Sequence, residues 1–387
     1  MRSSLWLRMA RMPSLRAFFL TQVNIQHAMN LRLQDEAAFF AEYQNEPLPE
    51  DEGDPDMLTA DQIAAKTNGM RRGEVPVGAN HVTAFIDVQK ECLFYLVTAW
   101  EDDFPGYVLD YGTWPQQRRA YFTLRDVTRT LGRANPGAGL EGSIYAGLEK
   151  LTEELLGKEW RRDNGAAMRI ERCLIDANWG QSTDVVYQFC RQSPHSAVLL
   201  PSHGRYVGAS SVSFSEYKRK AGDRVGLHWR IPNTVGRRQV RHALIDTNYW
   251  KSFVHARLAV AMGDPGCLSL FGRKALRPGS RDGDDANAGR RSGAAQSRSS
   301  RHRASGTDHR LLADHLTAEY RVKTLARDRT VDEWKLRPTR PDNHWLDCLV
   351  GCAVAASIQG AALAGIDARA AAPRRRVRLS EIQRSRR

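Results

Sequence analysis

No run of about eighteen apolar residues occurs in the chain, so no membrane span is expected. Near the start, Arg2, Arg8, Arg11 and Arg16 interrupt the apolar centre that a signal peptide needs. No Gly-x-x-x-x-Gly-Lys-Ser/Thr loop is present to cradle phosphates; Gly157-Lys158 lacks both the upstream glycine and the following Ser or Thr. ATPase activity is therefore not expected. No Gly-x-Ser-x-Gly elbow occurs, and His195, His203 and His228 have no evident nucleophile partner, which argues against a serine or cysteine hydrolase. Cysteine is sparse. Cys92, Cys173, Cys190, Cys267, Cys348 and Cys352 form no CxxC pair and no zinc ribbon. Buried free thiols in a reducing cytosol are the expectation.

What the chain does have is a core and an excess of positive charge. Its 387 residues are 42% hydrophobic, enough for one large domain or two ordinary ones. The formal net charge is +13 and the pI about 9.7, which favours a polyanionic partner, nucleic acid first. Much of that excess sits in Arg273 to Gly306 and in the tail from Ala370. The former is rich in Arg, Ser, Gly and Ala, with almost no large apolar residue, and cannot offset its ordering entropy by burial. A disordered insertion is expected there. Both segments either hold DNA non-specifically or are simply solvated.

Thr59 is expected to cap a helix that begins at Ala60, after an acidic, Pro-containing linker over Pro47 to Met57. Val82 to Val88, Leu93 to Trp100 and Tyr107 to Tyr111 read as three antiparallel meandering strands. Pro115 to Leu131 and Gly142 to Leu156 carry a helical period. Arg169 to Asp176 reads as a buried strand, Thr183 to Cys190 as a helix and Ala197 to Pro201 as a short strand. Strands are expected over Arg224 to Ile231 and Gln239 to Asp246. Helices are expected over Trp250 to Ala261, Leu311 to Tyr320 and Pro341 to Ala364. This order suits an α/β domain with a mixed central sheet flanked by helices.

Three aspartates stand out. Asp87 interrupts the apolar run Phe85-Ile86-Asp87-Val88, where a strand seldom spends a site on a charge. Asp176 ends Cys173-Leu174-Ile175-Asp176 and leads into a turn and a helix, at the strand end where ligands gather in open α/β sheets. Asp347 lies four residues after Asn343 on the last helix, whose Val350, Ala353, Val354 and Ser357 offer a small-residue face for close packing on a sheet. Each has a plainer reading as a turn or first-turn acid. Together, two strand-borne and one helix-borne carboxylate can meet at one end of a sheet, and such a cluster calls for cations.

The chain resembles the C-terminal nuclease part of phage terminase large subunits of the GpA type. The matching stretches are Ala37 to Pro47, Phe85-Ile86-Asp87-Val88-Gln89, Asp110 to Pro115, Ile175 to Gly180 and Asp342 to Cys348. The resemblance runs from about Leu31 to Leu363, excluding the insertion.

It implies an RNase H-like fold: an N-terminal segment and linker over 1–75, a remnant of the junction with a motor; the nuclease domain over 76–366, with 273–306 as a disordered Arg/Ser-rich insertion; and a basic tail over 367–387. It implies two Mg²⁺ or Mn²⁺ ions, with Asp87 bridging both, Asp176 holding one and Asp347 the other. Asp110 and Asp184 are the substitutes for Asp176. The implied activity is endonucleolytic cutting of double-stranded DNA concatemers during genome packaging, in the host-cell cytoplasm. A separate ATPase subunit, a small terminase subunit and the portal are the implied partners. The alternative is a catalytically inactive prophage remnant that binds DNA or packaging partners.

Overall fold

The computed structural model describes residues 57–233, 240–272, 309–340 and 342–363. The insertion at 273–306, the tail at 367–387 and the segment ahead of Met57 lie outside the described residues. All described residues belong to one compact unit.

A nine-stranded mixed sheet forms its centre. In chain order the strands are β1 (His81–Val88), β2 (Leu93–Trp100), β3 (Gly106–Trp114), β4 (Arg172–Asp176), β5 (Leu199–Arg205), β6 (Arg224–Gly226), β7 (Trp229–Ile231), β8 (Ala243–Asp246) and β9 (Leu268–Leu270). Their spatial order is β9-β3-β2-β1-β4-β5-β8-β7-β6. β1, β2 and β3 form the expected antiparallel meander. β4 then joins β1 in parallel, and β5 and β8 continue in parallel. This is the strand arrangement of the RNase H-like fold, extended at both edges.

Seven helices occur among the described residues: α1 (Ala60–Ala64), α2 (Leu131–Ala134), α3 (Gly139–Leu156), α4 (Thr183–Gln192), α5 (Thr247–Ala259), α6 (Arg310–Leu316) and α7 (His344–Gln359). Thr59 caps α1 as expected, in a reciprocal capping box with Gln62. Strand alternation divides the core. Val82, Ala84, Ile86 and Val88 of β1 face the cluster built with α3 and α4. Phe85 faces the opposite cluster, built with α1, α5, α6 and α7. All six cysteines are buried and free, as the spacing predicts.

Several segments differ from expectation. Pro115 to Leu131 is not a continuous helix; it holds a single 3-10 turn, Leu124–Asp126, and α2 begins only at Leu131. Side chains satisfy its backbone instead. Gln117 donates to the carbonyls of Pro115 and Arg129 and accepts from the Arg129 amide, and Asp342 accepts from the Leu124 amide. The helix expected over Leu311 to Tyr320 stops at Leu316. From Glu319 the chain forms a hairpin, β10 (Glu319–Ala326) with β11 (Arg329–Leu336), that the hydrophobic pattern had not announced. Its two turn residues, Arg327 and Asp328, both have positive φ, 51° and 56°. That turn favours Asn and Gly, so its usual sequence sign is missing. β9 was also unforeseen.

Helix α7 lies tightly on β1. Thr83 Oγ1 donates to the Cys352 carbonyl at 2.9 Å, and Trp100 Nε1 donates to Thr83 Oγ1 at 3.0 Å. The contact face includes Gly351 and Cys352 rather than Val350, Ala353, Val354 and Ser357 alone. A Cβ built on Gly351 would lie 1.7 Å from the Phe85 ring. Gly351→Ala is expected to destabilise the protein by about 1–3 kcal/mol, the cost of overpacking a filled core. Urea unfolding with an unchanged m-value would report it; an unaltered midpoint would show that the helix can lift without cost.

Candidate active site

β1 and β4 are neighbours, and their register pairs Ile86 with Ile175. Asp87 and Asp176 each come one residue later, so they stand side by side at the C-terminal ends of adjacent parallel strands. Both point to the α7 face, because Ile86 and Ile175 fill the opposite core. Ser202 pairs with Asp176 on the next strand, β5. Asp347, in the first turn of α7, completes the group. The three carboxylates line one cavity of about 380 Å³, together with Gln89, Asn178, Ser202, Gly204, Tyr206, Thr247 and Lys251. The structure therefore brings the three expected aspartates together.

Asp87 is 4% exposed and well supplied with donors. Gln89 Nε2 lies 3.1 Å from each of its oxygens. His344 Nδ1 lies 2.7 Å from Oδ2. Burial alone would depress the His344 imidazole, but the hydrogen bond and charge of Asp87, with Asp342 and Asp347, outweigh it and raise its pKa. The His344 ring stacks on Phe94 at 4.3 Å. Asp176 receives the Asn178 amide at 3.2 Å. Asn178 is itself held by its bond to the Gly204 carbonyl, 2.9 Å.

Asp347 meets a cation. Lys251 Nζ of α5 lies 3.2 Å from its Oδ1 and 2.5 Å from Glu319 Oε1. Burial alone would depress the Lys251 ammonium, yet Asp347 and Glu319 hold it above its ordinary value. Burial raises the Asp347 carboxyl, Lys251 opposes the rise, and Glu319 and Asp87 add to it. Asp176 is pushed up to about 8, by burial first and then by the charges of Asp87 and Asp347. The group is short of positive charge, and a proton on Asp176 relieves it.

Asp110 and Asp184 do not join this group. Asp110 sits on β3, two strands from β1, held by Arg72 Nη2 at 2.5 Å and Lys158 at 3.5 Å. Asp184 is exposed in the first turn of α4, whose buried side chains pack in the opposite core. Lys251, Glu319 and His344 were not singled out from the sequence. Lys251 left a signal, a lysine on the apolar stripe of α5 between Trp250, Val254 and Leu258. Glu319 left none, because its hairpin was read as the end of a helix.

As placed, no group of three or more His, Cys, Asp or Glu side chains among the described residues closes around a point that could hold a metal ion. Asp347 leans to Lys251, and Asp87 to Gln89 and His344. The donor set nevertheless fits a hard divalent cation: oxygen ligands only, on three separate elements, around one cavity.

The fold and the acidic cavity define an RNase H-like nuclease class. Over residues 10–368 the chain matches the family model of the terminase large subunit gpA endonuclease domain, and it belongs to that family. Membership supports a nuclease role in phage DNA packaging. A comparison with curated proteins found no match. No helix among the described residues is long and apolar enough to cross a membrane.

The raised Asp176 carboxyl has a consequence for stability. Between the unfolded value of 3.8 and about 8, the folded state holds a proton that the unfolded state has lost. This contribution to stability is therefore full below the unfolded value, falls as pH rises through the window, and is gone above it. In EDTA, Asp176→Asn is expected to remove this fall and raise Tm by a few degrees above the window, on the order of ~4 °C per kcal/mol or less for a unit of this size. Melting curves of both proteins across the window that run parallel would refute the raised value.

Proposed function

We propose that the chain is a metal-dependent endonuclease that cuts double-stranded phage DNA concatemers during genome packaging. In this reading Asp87, Asp176 and Asp347 would be the residues that hold two Mg²⁺ or Mn²⁺ ions. The observation that carries it is the convergence of three carboxylates from two adjacent strands and one helix on a single open cavity. Bound cations there would supply an activated water for phosphodiester attack and neutralise charge on the departing 3′-oxygen.

The chain's own residues prepare that chemistry. Gln89 and His344 hold the Asp87 carboxylate in one orientation from outside. Asn178, fixed to Gly204, holds the turn that presents Asp176. Lys251 adds a positive charge at the cavity wall, where the phosphate backbone of DNA would approach. The net charge of +13 favours the same partner. A separate ATPase subunit, a small terminase subunit and the portal would deliver the DNA.

Purified protein is expected to cut supercoiled plasmid with Mn²⁺ or Mg²⁺ and not with EDTA. Alanine at Asp87, Asp176 or Asp347 should lower the rate by on the order of 100-fold or more, beyond the usual cost of losing an outer partner of a metal site. Cutting that survives Asp87→Ala and Asp347→Ala would sink the reading. Salt-sensitive binding without any cutting would instead favour the inactive remnant.

A further inference from the structure

Lys251 is placed with unusual firmness for a lysine. Its neighbours on α5 are pinned to the hairpin: Asn248 Oδ1 accepts from the Trp334 amide at 3.0 Å, and Ser252 Oγ donates to Asp332 Oδ2 at 3.0 Å. Its ammonium bridges two carboxylates of different standing. Glu319 is 4% exposed, lies off the cavity, and also accepts from Asn343 Nδ2 at 2.6 Å. The Asp347 side chain keeps 37% exposure on the cavity side, while the Lys251 side chain keeps 10%. Glu319 thus anchors the lysine, and Asp347 is the partner that can be exchanged. The other two acids differ. Asp87 takes Gln89, a neutral amide, on both oxygens and the His344 ring at 2.7 Å on Oδ2, a neutral backbone amide reaches Asp176, and neither acid meets an ammonium or guanidinium among the described residues.

We infer that Lys251, anchored by Glu319, is a built-in cation that competes with a divalent metal ion for Asp347, so that the two ion positions fill unequally. The inference rests on the two-ion reading above. The position served by Asp87 and Asp176 fills first. The position served by Asp347 fills only as its carboxylate leaves the lysine, which remains with Glu319. Lys251 is a positioning residue for the second ion, and Glu319 sets how firmly it competes.

The test is a Mn²⁺ titration of the full chain without DNA, following free Mn²⁺ by electron paramagnetic resonance. The wild-type protein is expected to show two affinities at least about tenfold apart, as two close charges in competition would give. Asp347→Asn should remove the weaker one. Lys251→Met should tighten the weaker position about tenfold, and Glu319→Gln, which leaves the lysine to Asp347 alone, should weaken it. Opposed shifts cannot come from a shared loss of folding. If Lys251→Met fails to fold with Glu319 unpaired, the Lys251→Met/Glu319→Gln double variant should still show the tightened position. Two positions that neither variant moves, or that both move alike, would overturn the inference and leave the two-ion reading standing. No Mn²⁺ bound by the wild type would overturn both.

Discussion

The contact between Gly351 of α7 and the Phe85 ring of β1 sets how close the last helix comes to the central strand. The helix runs opposite to the strand, since Cys352 meets Thr83 while His344 meets Asp87. From the Gly351–Phe85 contact, Asp347 lies four residues back along the helix, about 6 Å of rise. Asp87 lies two residues on along the strand, about 6.6 Å. The two acids therefore travel nearly the same distance in the same direction from one contact. A larger residue at 351 would open that spacing at once. The carboxylate group is a consequence of close packing between α7 at Gly351 and β1 at Phe85, with Thr83, Cys352 and Trp100 bonded across it.

The same contact explains which parts of the site could be read in advance. Asp87 and Asp176 announce themselves because each interrupts or ends an apolar strand, and strand alternation dictates the face they take. Their adjacency needs one more fact, the parallel pairing of β1 with β4, which follows from the expected α/β order. Asp347 was legible as an acid on a helix with few large residues. The face that meets the sheet was legible only in part, without Gly351 and Cys352, because α7 is buried on nearly every side and its apolar pattern carries almost no direction.

The partners of these acids were harder to see, for reasons that differ. Glu319 belongs to a hairpin whose turn is made by Arg327 and Asp328, without the glycine that usually marks such a turn. Without that sign, the helical period from Leu311 extends in sequence over Glu319 and masks the start of β10. Lys251 lay in plain view on the stripe of α5, but a lysine in a helix is read first as surface. Only the packing of α5 against α7 and β11 turns it inward. His344 sits three residues before Asp347 and falls inside the Asp342 to Cys348 stretch, yet its role depends on Asp87, far away in the chain.

Charge decides how these parts work together. Asp87, Asp176 and Asp347 crowd one cavity, and Glu319 stands behind it. Such a set cannot all be ionised without compensation. Around the cavity the partners differ in kind: Gln89 and His344 reach Asp87, a backbone amide reaches Asp176, and the Lys251 ammonium reaches Asp347. The ammonium is tethered, because the buried Glu319 carboxylate holds it from the other side. The helix side of the cavity is therefore the side that already carries a fixed positive charge, and that difference lies in the second layer of contacts rather than in the three acids themselves.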